Sequence, residues 1–502
     1  MKTLEYAKRF SAIIALILAL VMVFTACGDT STGTASGDDA NVNSGDTTQT
    51  ESQGGTTQQG TVSKQGTVSK QGTTSKQGTA SKQGTTSKQG TTTNAGSTKW
   101  ESNYLSNIPA SVKSKPIHVL MWRAYTKTEK SLVDSFQKKT GIKVRTTVTV
   151  EGEYASKLTA LIAGKDSPDV LCVSSDDFPG FVVKSMQSLN AKTFRLDDPI
   201  WYKNYMDAYK VKDKYFAVAI NGTWSCEDCT YVTYYNPNTL TGLAQPYDLY
   251  KQGKWNWAAA ANIIRSVAAK GSTYTGLSTL DYDTHMLSAG VDFVSYNNKT
   301  ATFTSNVGNA ATMKTITSGW SQISSLVKDK LVVGWQPSLI CEGKVGLLTS
   351  ISFGLYNEGG WYDATSTKGG VGALRAVPVA GPSASTAYTP VRPKAWGSAK
   401  GAKNTEGAAY FLRYFLDPAN CNMKSTFYNS QFQEVYNIVT NKNAKKKAKV
   451  AIGIMDYAQA GTYDDFCEQL ANSTQTATIV NSKAKVINNS INRANKQIKN
   501  AK

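Results

Sequence analysis

Five successive segments between residues 117 and 173 alternate between strand and helix patterns, and this alternation restricts the fold more than any other feature. "IHVLMW" at 117–122 is a short apolar run of strand length. "TEKSLVDSFQKKTG" follows with Leu132, Val133 and Phe136 at helical spacing. Thr126 or Thr128 is placed to cap its start, and Gly141 sits where a C-terminal glycine belongs. "IKVRTTVTV" puts Ile142, Val144, Val148 and Val150 on one face of a strand. "EYASKLTALIAG" gives a helical stripe of Tyr154, Leu158, Leu161 and Ile162 stopped by Gly164, and "PDVLCV" at 168–173 is another strand of the buried type. This β-α-β-α-β order predicts an α/β fold with a parallel sheet covered by helices. In open sheets of that kind, ligands bind at the carboxyl ends of the strands.

The segment before this body has a different character. Residues 1–26 begin with Lys2, Lys8 and Arg9, continue in the apolar run "AIIALILALVMVF" and end in small residues. That is the pattern of a secretory signal peptide, and the run is shorter than the ~20 apolar residues of a membrane span. The local "VFTACGDT" resembles a bacterial lipobox, which implies that Cys27 becomes the lipidated first residue of the mature chain. From Gly28 to Thr98 the chain is Gly, Ser, Thr, Gln and Asn with the repeats QGTVSK, QGTTSK and QGTASK between residues 59 and 88. Such a composition buries too little apolar surface to offset ordering entropy, so residues 27–99 read as a disordered tether. Its r.m.s. reach is about 45 Å.

The chain carries 55 Lys and Arg against 36 Asp and Glu, a net charge of +19. The charge is dispersed, and only "NKNAKKKAK" at 441–449 forms a cluster. No module interleaves basic and base-stacking aromatic residues, so nucleic acid is not an expected partner. The cluster reads as a solvated face, with an anionic wall or membrane surface as the alternative contact.

From about residue 100 onward, roughly 400 residues suffice for two domains. Seven stretches of this body resemble, in order, the family 1 extracellular solute-binding proteins of ABC importers, the maltose-binding-protein class. They are "IHVLMWRAYTKTEKSLVDSFQKKTGIKV", "LTALIAGKDSPDVLCVSSDDFPGFVVKSMQSL", "YVTYYNPNTL", "GKWNWAAAANII", "KVGLLTSISFGLY", "GGVGALRAVPVAGP" and "GSAKGAKNTEGAAYFLRYFLDPAN". The resemblance implies a periplasmic-binding-protein-like α/β fold of two lobes built from discontinuous segments, with the ligand between them. Residues 100–236 and 389–425 would form the first lobe, and 237–388 and 426–502 the second. The crossovers would fall near Pro237, Pro390 and Pro393.

A sugar presents apolar C–H faces and a rim of hydroxyls, so its site needs aromatic rings and planar polar groups. All 10 Trp lie beyond the tether. Trp122 ends the first strand, where a parallel sheet puts its ligand loops. Asp176 and Asp177 follow the "PDVLCV" strand. The resemblance places Asp176 at an acidic hydroxyl acceptor, and a helix-capping role is the alternative. Trp224 precedes the first crossover and Trp396 lies at the second. The resemblance places Asp281 and Tyr282 at an acidic–aromatic pair of the second lobe, and Phe353 near an aromatic platform where the usual Trp is missing. Trp361 and Tyr362 follow a double glycine in a loop able to reach the cleft. Trp255 and Trp257 open the helix "WNWAAAANII" and read as packing residues.

The function implied is capture of a carbohydrate, an oligosaccharide given the wealth of aromatics. Delivery would be to the permease subunits of an ABC importer, by a lipid-anchored monomer on the extracellular face of a bacterial membrane. A glycosidase is the rival class, because hydrolysis needs two carboxyl groups flanking the bond, and Asp176 and Asp281 are candidates. A binding protein for a peptide or polyamine is the third. The two histidines, His118 and His285, sit in no metal or triad motif, and no phosphate loop is present, so no cofactor or metal is expected. "WSCEDCTYV" contains Cys226 and Cys229 in C-x-x-C spacing. A local disulfide, free thiols, and a redox or metal centre are all compatible with that spacing. An exported loop followed by a strand-like run favours the disulfide.

Overall fold

A computed structural model describes residues 99–220, 230–279, 284–291, 293–356, 371–420, 427–440, 448–450, 469 and 476–500 of the protein. All belong to one compact unit, Gly90–Lys502.

The strand β1 (Ile117–Met121) is followed by α1 (Lys127–Thr140), β2 (Val144–Val148), α2 (Tyr154–Ala163), β3 (Val170–Ser174) and α3 (Gly180–Ser185). β1 runs parallel to both β2 and β3, with Ile117 opposite Val144 and Val119 opposite Val170. All five residues of β1 are buried, as a central strand covered on both faces requires. Thr126 provides the cap of α1. Its hydroxyl accepts from Glu129 N while the Glu129 carboxylate accepts from Thr126 N, and the helix stops at Gly141 with φ of 76°. The apolar face expected for β2 holds only at its start. Ile142 is buried, but Val148 and Val150 are 50% and 61% exposed. β2 is an edge strand.

Farther along come β4 (Tyr231–Tyr235), α4 (Trp257–Ala268), β5 (Thr275–Thr279), the hairpin β6 (Val294–Asn297) and β7 (Thr302–Ser305), α5 (Ala310–Lys328), β8 (Val332–Val333), β9 (Val345–Ile351) and β10 (Arg375–Pro378). Last are β11 (Thr389–Val391), β12 (Lys394–Gly397), α6 (Thr405–Phe415), α7 (Ser430–Thr440), β13 (Ala448–Val450) and α8 (Thr476–Asn500). Among the described residues two larger sheets form, in the orders β12-β3-β1-β2 and β8-β5-β9-β4-β10. In the second, β5, β8 and β9 are parallel, and β4 runs antiparallel between β9 and β10. β4 was expected at the end of the first-lobe segment 100–236. Its five buried residues hydrogen-bond inside the second sheet, between β9 and β10.

One buried carboxylate ties the first lobe together. Asp169, just ahead of β3, accepts from the backbone N–H of His118 at 2.9 Å, Lys403 at 2.8 Å and Asn404 at 2.6 Å. Asn404 then caps α6 through Gly407 N and donates to the Val112 and Lys115 carbonyls. The apolar face of α6 packs Phe411 edge-on against Phe136 of α1 at 5.3 Å. In the second lobe, the side-chain amide of Gln431 on α7 bonds both the N–H and the carbonyl of Ala376 in β10. The hairpin β6–β7 reaches the first lobe. Tyr296 stacks on Phe303, both rings approach Phe178, and the Tyr296 hydroxyl donates to the Lys210 carbonyl at 2.6 Å.

Candidate functional site

The sheet registers locate where the two sheets join. Tyr231, which opens β4, pairs with Ile351 at the carboxyl end of β9. Lys394, which opens β12, pairs with Ser174 at the carboxyl end of β3. Thr230 and Val391, which precede these two strands, bridge to each other, and Ser352 N donates to the Thr230 carbonyl at 2.7 Å. This crossing point therefore brings the carboxyl ends of both sheets' parallel strands to a common region. Open α/β sheets bind their ligands at such strand ends.

On the first-lobe side, Trp122 follows β1 directly and is half-buried. Tyr154 meets its ring edge-on at 6.0 Å, and Trp396 lies beneath at 6.3 Å. The Lys394 ammonium stands 4.2 Å from the ring centroid and the Arg123 guanidinium 5.7 Å from it. Arg123 is fixed by two hydrogen bonds of 2.7 Å to Glu129, whose side chain is fully buried and also accepts from Thr126 N. The loop that carries Trp122 is thus pinned at both ends before any ligand arrives. Tyr154 is itself held, its hydroxyl donating to the Cys172 carbonyl at 3.0 Å. An aromatic ring with flanking cationic donors can take an apolar sugar face and its hydroxyl or carboxyl substituents together.

Asp177 accepts from Ser174 N at 2.7 Å, closing the turn after β3. Its neighbour Asp176 shares that turn, within Ser175–Asp177, but its side chain lies outside the described residues. Trp396, expected to face the ligand, is only 1% exposed. It sits within β12, exchanges backbone hydrogen bonds of 2.8 Å with Val218, and packs edge-on to Phe415. A strand position covered on both sides leaves its indole as the floor beneath Trp122, not as a contact surface. Trp224, Asp281, Tyr282, Trp361 and Tyr362 lie outside the described residues, as do Cys226 and Cys229. Cys172 and Cys341 are buried.

On the second-lobe side, Phe353 is half-buried in the turn after β9. Trp335, which sequence patterning passed over, is 42% exposed two residues beyond β8. The fully buried Ser278 of β5 holds this loop on both flanks. Its hydroxyl donates to the Gly334 carbonyl at 3.1 Å and accepts from Gln336 N at 3.0 Å. A two-residue strand has no readable period, so only the exposed indole after "VVG" could have signalled it. Trp255, in contrast, is 2% exposed and donates to the Pro378 carbonyl at 2.7 Å, the packing role that its place at a helix start suggests.

A separate pocket of about 490 Å³ opens at the opposite, amino-terminal ends of β1 and β3, lined by Lys115, His118, Arg145, Asp166, Asp169 and Lys403. Burial first, and then the Arg145 charge, lowers the His118 pKa below its usual 6.5. Hydrogen bonding from Arg145 lowers that of the Asp166 carboxyl. Among the described residues no group of three or more His, Cys, Asp or Glu is placed to hold a metal ion. No helix among them is long and apolar enough to cross a membrane.

Comparison with known proteins agrees with this architecture. The profile of the family described as bacterial extracellular solute-binding protein matches residues 122–420. A search of curated proteins returned no match. Among solved structures, an ABC substrate-binding protein from Listeria monocytogenes, solved with cycloalternan, superposes with a TM-score of 0.53 at 17% identity. The match covers 76% of this chain and 99% of that one. A binding protein from B. animalis subsp. lactis, in complex with β-1,6-galactobiose, gives 0.57 at 17% identity over 76% and 98%. A cyclic α-maltosyl-1,6-maltose binding protein from Arthrobacter globiformis gives 0.53 at 12% over 77% and 100%. These likenesses extend over nearly the whole of the other chains and share their two-lobe form. With the family profile spanning more than half of its residues, the chain belongs to the bacterial extracellular solute-binding proteins.

Proposed function

We propose that the protein captures an oligosaccharide between its two lobes and delivers it, unaltered, to the permease subunits of an ABC importer. It does so as a monomer held at the outer face of a bacterial membrane by lipid on Cys27, with residues 28–98 as the tether. The observation that carries this reading is the paired arrangement of the site. A supported indole, Trp122, stands at the strand ends of one lobe, and the Thr230–Val391 bridge joins the segments that lead into the two sheets. The structural neighbours solved with cycloalternan and β-1,6-galactobiose support a saccharide as the ligand class. Trp122, Asp177 and Phe353 are its contacts among the described residues. Asp176, Trp224, Asp281, Tyr282, Trp361 and Tyr362 complete the set.

No chemistry is assigned to the site: the carboxylates serve as hydroxyl acceptors, and the lobes release what they bound. A thermal-shift screen of the full chain against di- to hexasaccharides of several linkages tests this. A ligand at a hundred times its dissociation constant adds about 2.7 kcal/mol to stability, which is a readily measured rise in melting temperature. A shift with a peptide or polyamine and with no saccharide would replace the ligand class. New reducing ends formed with turnover would replace binding by hydrolysis through Asp176 and Asp281.

A further inference from the structure

Four segments meet at the amino-terminal end of the first sheet, away from the strand ends that carry Trp122. Lys115 leads into β1, Arg145 stands on β2 opposite His118 of β1, Asp166 and Asp169 lead into β3, and Lys403 leads into α6. All six line the pocket of about 490 Å³. Its charges fall into two groups. On the inner side each carboxylate already has its partners: Asp169 takes three backbone N–H groups. Asp166 takes both arms of the Arg145 guanidinium, at 2.6 and 3.1 Å. His118 is 4% exposed, and its Nε2 lies 2.8 Å from the Thr147 hydroxyl. Its Nδ1 is 3.7 Å from Asp166 and has no hydrogen-bond partner. Burial and the Arg145 charge keep this imidazole neutral near pH 7. At the rim, Lys115 and Lys403 are exposed, and neither ammonium is paired among the described residues. Lys115, Arg145 and Lys403 thus outnumber the two carboxylates, and the excess positive charge sits on the two lysines.

The donor set also selects the kind of anion. A planar carboxylate is best held by the fork of an arginine, and that of Arg145 is taken up by Asp166. What remains is a pair of ammonium groups on flexible stems. These are point charges with three donors each, which suit a tetrahedral oxyanion. The pocket is larger than one such ion needs, which leaves room for an organic substituent. We propose that this pocket is a second ligand site, one that holds a phosphate-type oxyanion between Lys115 and Lys403. It is separate from the region between the lobes and independent of what binds there. An anion in this position favours the protonated form of the neighbouring imidazole, so His118 reports its occupancy.

The test follows the full chain by NMR, with isotope label in its two histidines. Chloride is replaced stepwise by inorganic phosphate, sulfate or acetate at constant ionic strength, which holds general screening fixed. Phosphate and sulfate move the His118 imidazole signals saturably and raise its titration midpoint, and acetate does so more weakly. His285, which lies in the second lobe beside Trp255 and Trp257, stays unmoved. Lys115→Gln and Lys403→Gln each weaken phosphate binding roughly fivefold, and the double variant loses the saturable response. Lys299→Gln, which removes another exposed lysine in the turn between β6 and β7, leaves it unchanged. Absence of a saturable response in wild type overturns the proposal. So does a response that persists in the double variant, or one that Lys299→Gln weakens as much as a rim substitution, since either marks a general ion atmosphere. A response to acetate as strong as that to phosphate overturns the ligand class. Glycerophosphoglycerol, the free headgroup of an anionic lipid, separates the two sources of phosphate. Tighter binding than the inorganic ion supports a headgroup in the site, and weaker binding supports a free phosphate there. The His285 signals and the melting temperature in chloride confirm that each variant is folded.

Discussion

The Arg123–Glu129 pair shows how a single buried residue prepares the site. Glu129 is fully buried, and its carboxylate takes two hydrogen bonds from Arg123 and one from Thr126 N. Glu129→Ala leaves the partly buried guanidinium and an N-cap donor without their acceptor, a loss of about 3 kcal/mol. Chemical denaturation should show that loss, and saccharide affinity should fall with it because the loop bearing Trp122 is freed. A stability change under about 0.5 kcal/mol would contradict this account of the loop. Trp122→Ala, which removes a half-buried ring, should lower affinity for every ligand length and cost stability less than Glu129→Ala does. The residues of this loop were partly legible in the sequence. "WRAYTKTE" displays the strand-end tryptophan and the capping box at once. Trp396 misled because its place near a crossover is visible in sequence, whereas its cover by Trp122 and Phe415 arises only from residues brought together by the fold.

Among the elements, β1, β3 and α6 depend on a common acceptor in Asp169. Its carboxylate is 3% exposed and takes three backbone N–H groups from segments more than two hundred residues apart in sequence. Asp169→Ala should lower the unfolding free energy by about 3–5 kcal/mol, measured in urea, because three buried donors lose their partner. Unchanged stability would show that water or another group satisfies them. The neighbouring His118 makes the same region sensitive to acid. Burial and Arg145 favour its neutral form, so the unfolded chain takes up this proton more readily than the folded one. The stability His118 contributes is complete above the ordinary pKa of 6.5 and is lost as pH falls through the lower folded value. Asp166, with its carboxyl pKa below the usual 3.8, contributes only in a more acidic window. Urea midpoints between pH 7.5 and 5 should therefore decline, and His118→Gln should flatten the decline. Parallel curves for the two proteins would count against it. The β1–α1–β2–α2–β3 series was readable because each element has its own period and punctuation. The sheet that takes β4 is not readable for the converse reason. "YVTYY" is buried on both faces, so it carries no alternation, and its antiparallel partners lie more than a hundred residues away.

The whole molecule joins two sheets whose parallel strands aim their carboxyl ends at one crossing, with the hairpin β6–β7 as a further contact between the lobes. Opening of the cleft must be compatible with the Phe178–Tyr296–Phe303 cluster and the Tyr296–Lys210 hydrogen bond. Tyr296→Ala should accordingly shift the scattering radius of the unliganded protein while leaving Trp122 and its surroundings intact. An unchanged radius would assign the cluster to static packing. The two-lobe form was legible from the order of seven family-like stretches. Trp122 ends a strand long enough to show a period, whereas the two-residue strand before Trp335 shows none. Capture without chemistry is tested by incubating the full chain with a mixed pool of oligosaccharides, removing unbound sugar, and identifying what remains by mass spectrometry. The account predicts one intact oligosaccharide per chain, unchanged on prolonged incubation; retention of no saccharide, or of shortened products that accumulate with time, would contradict it.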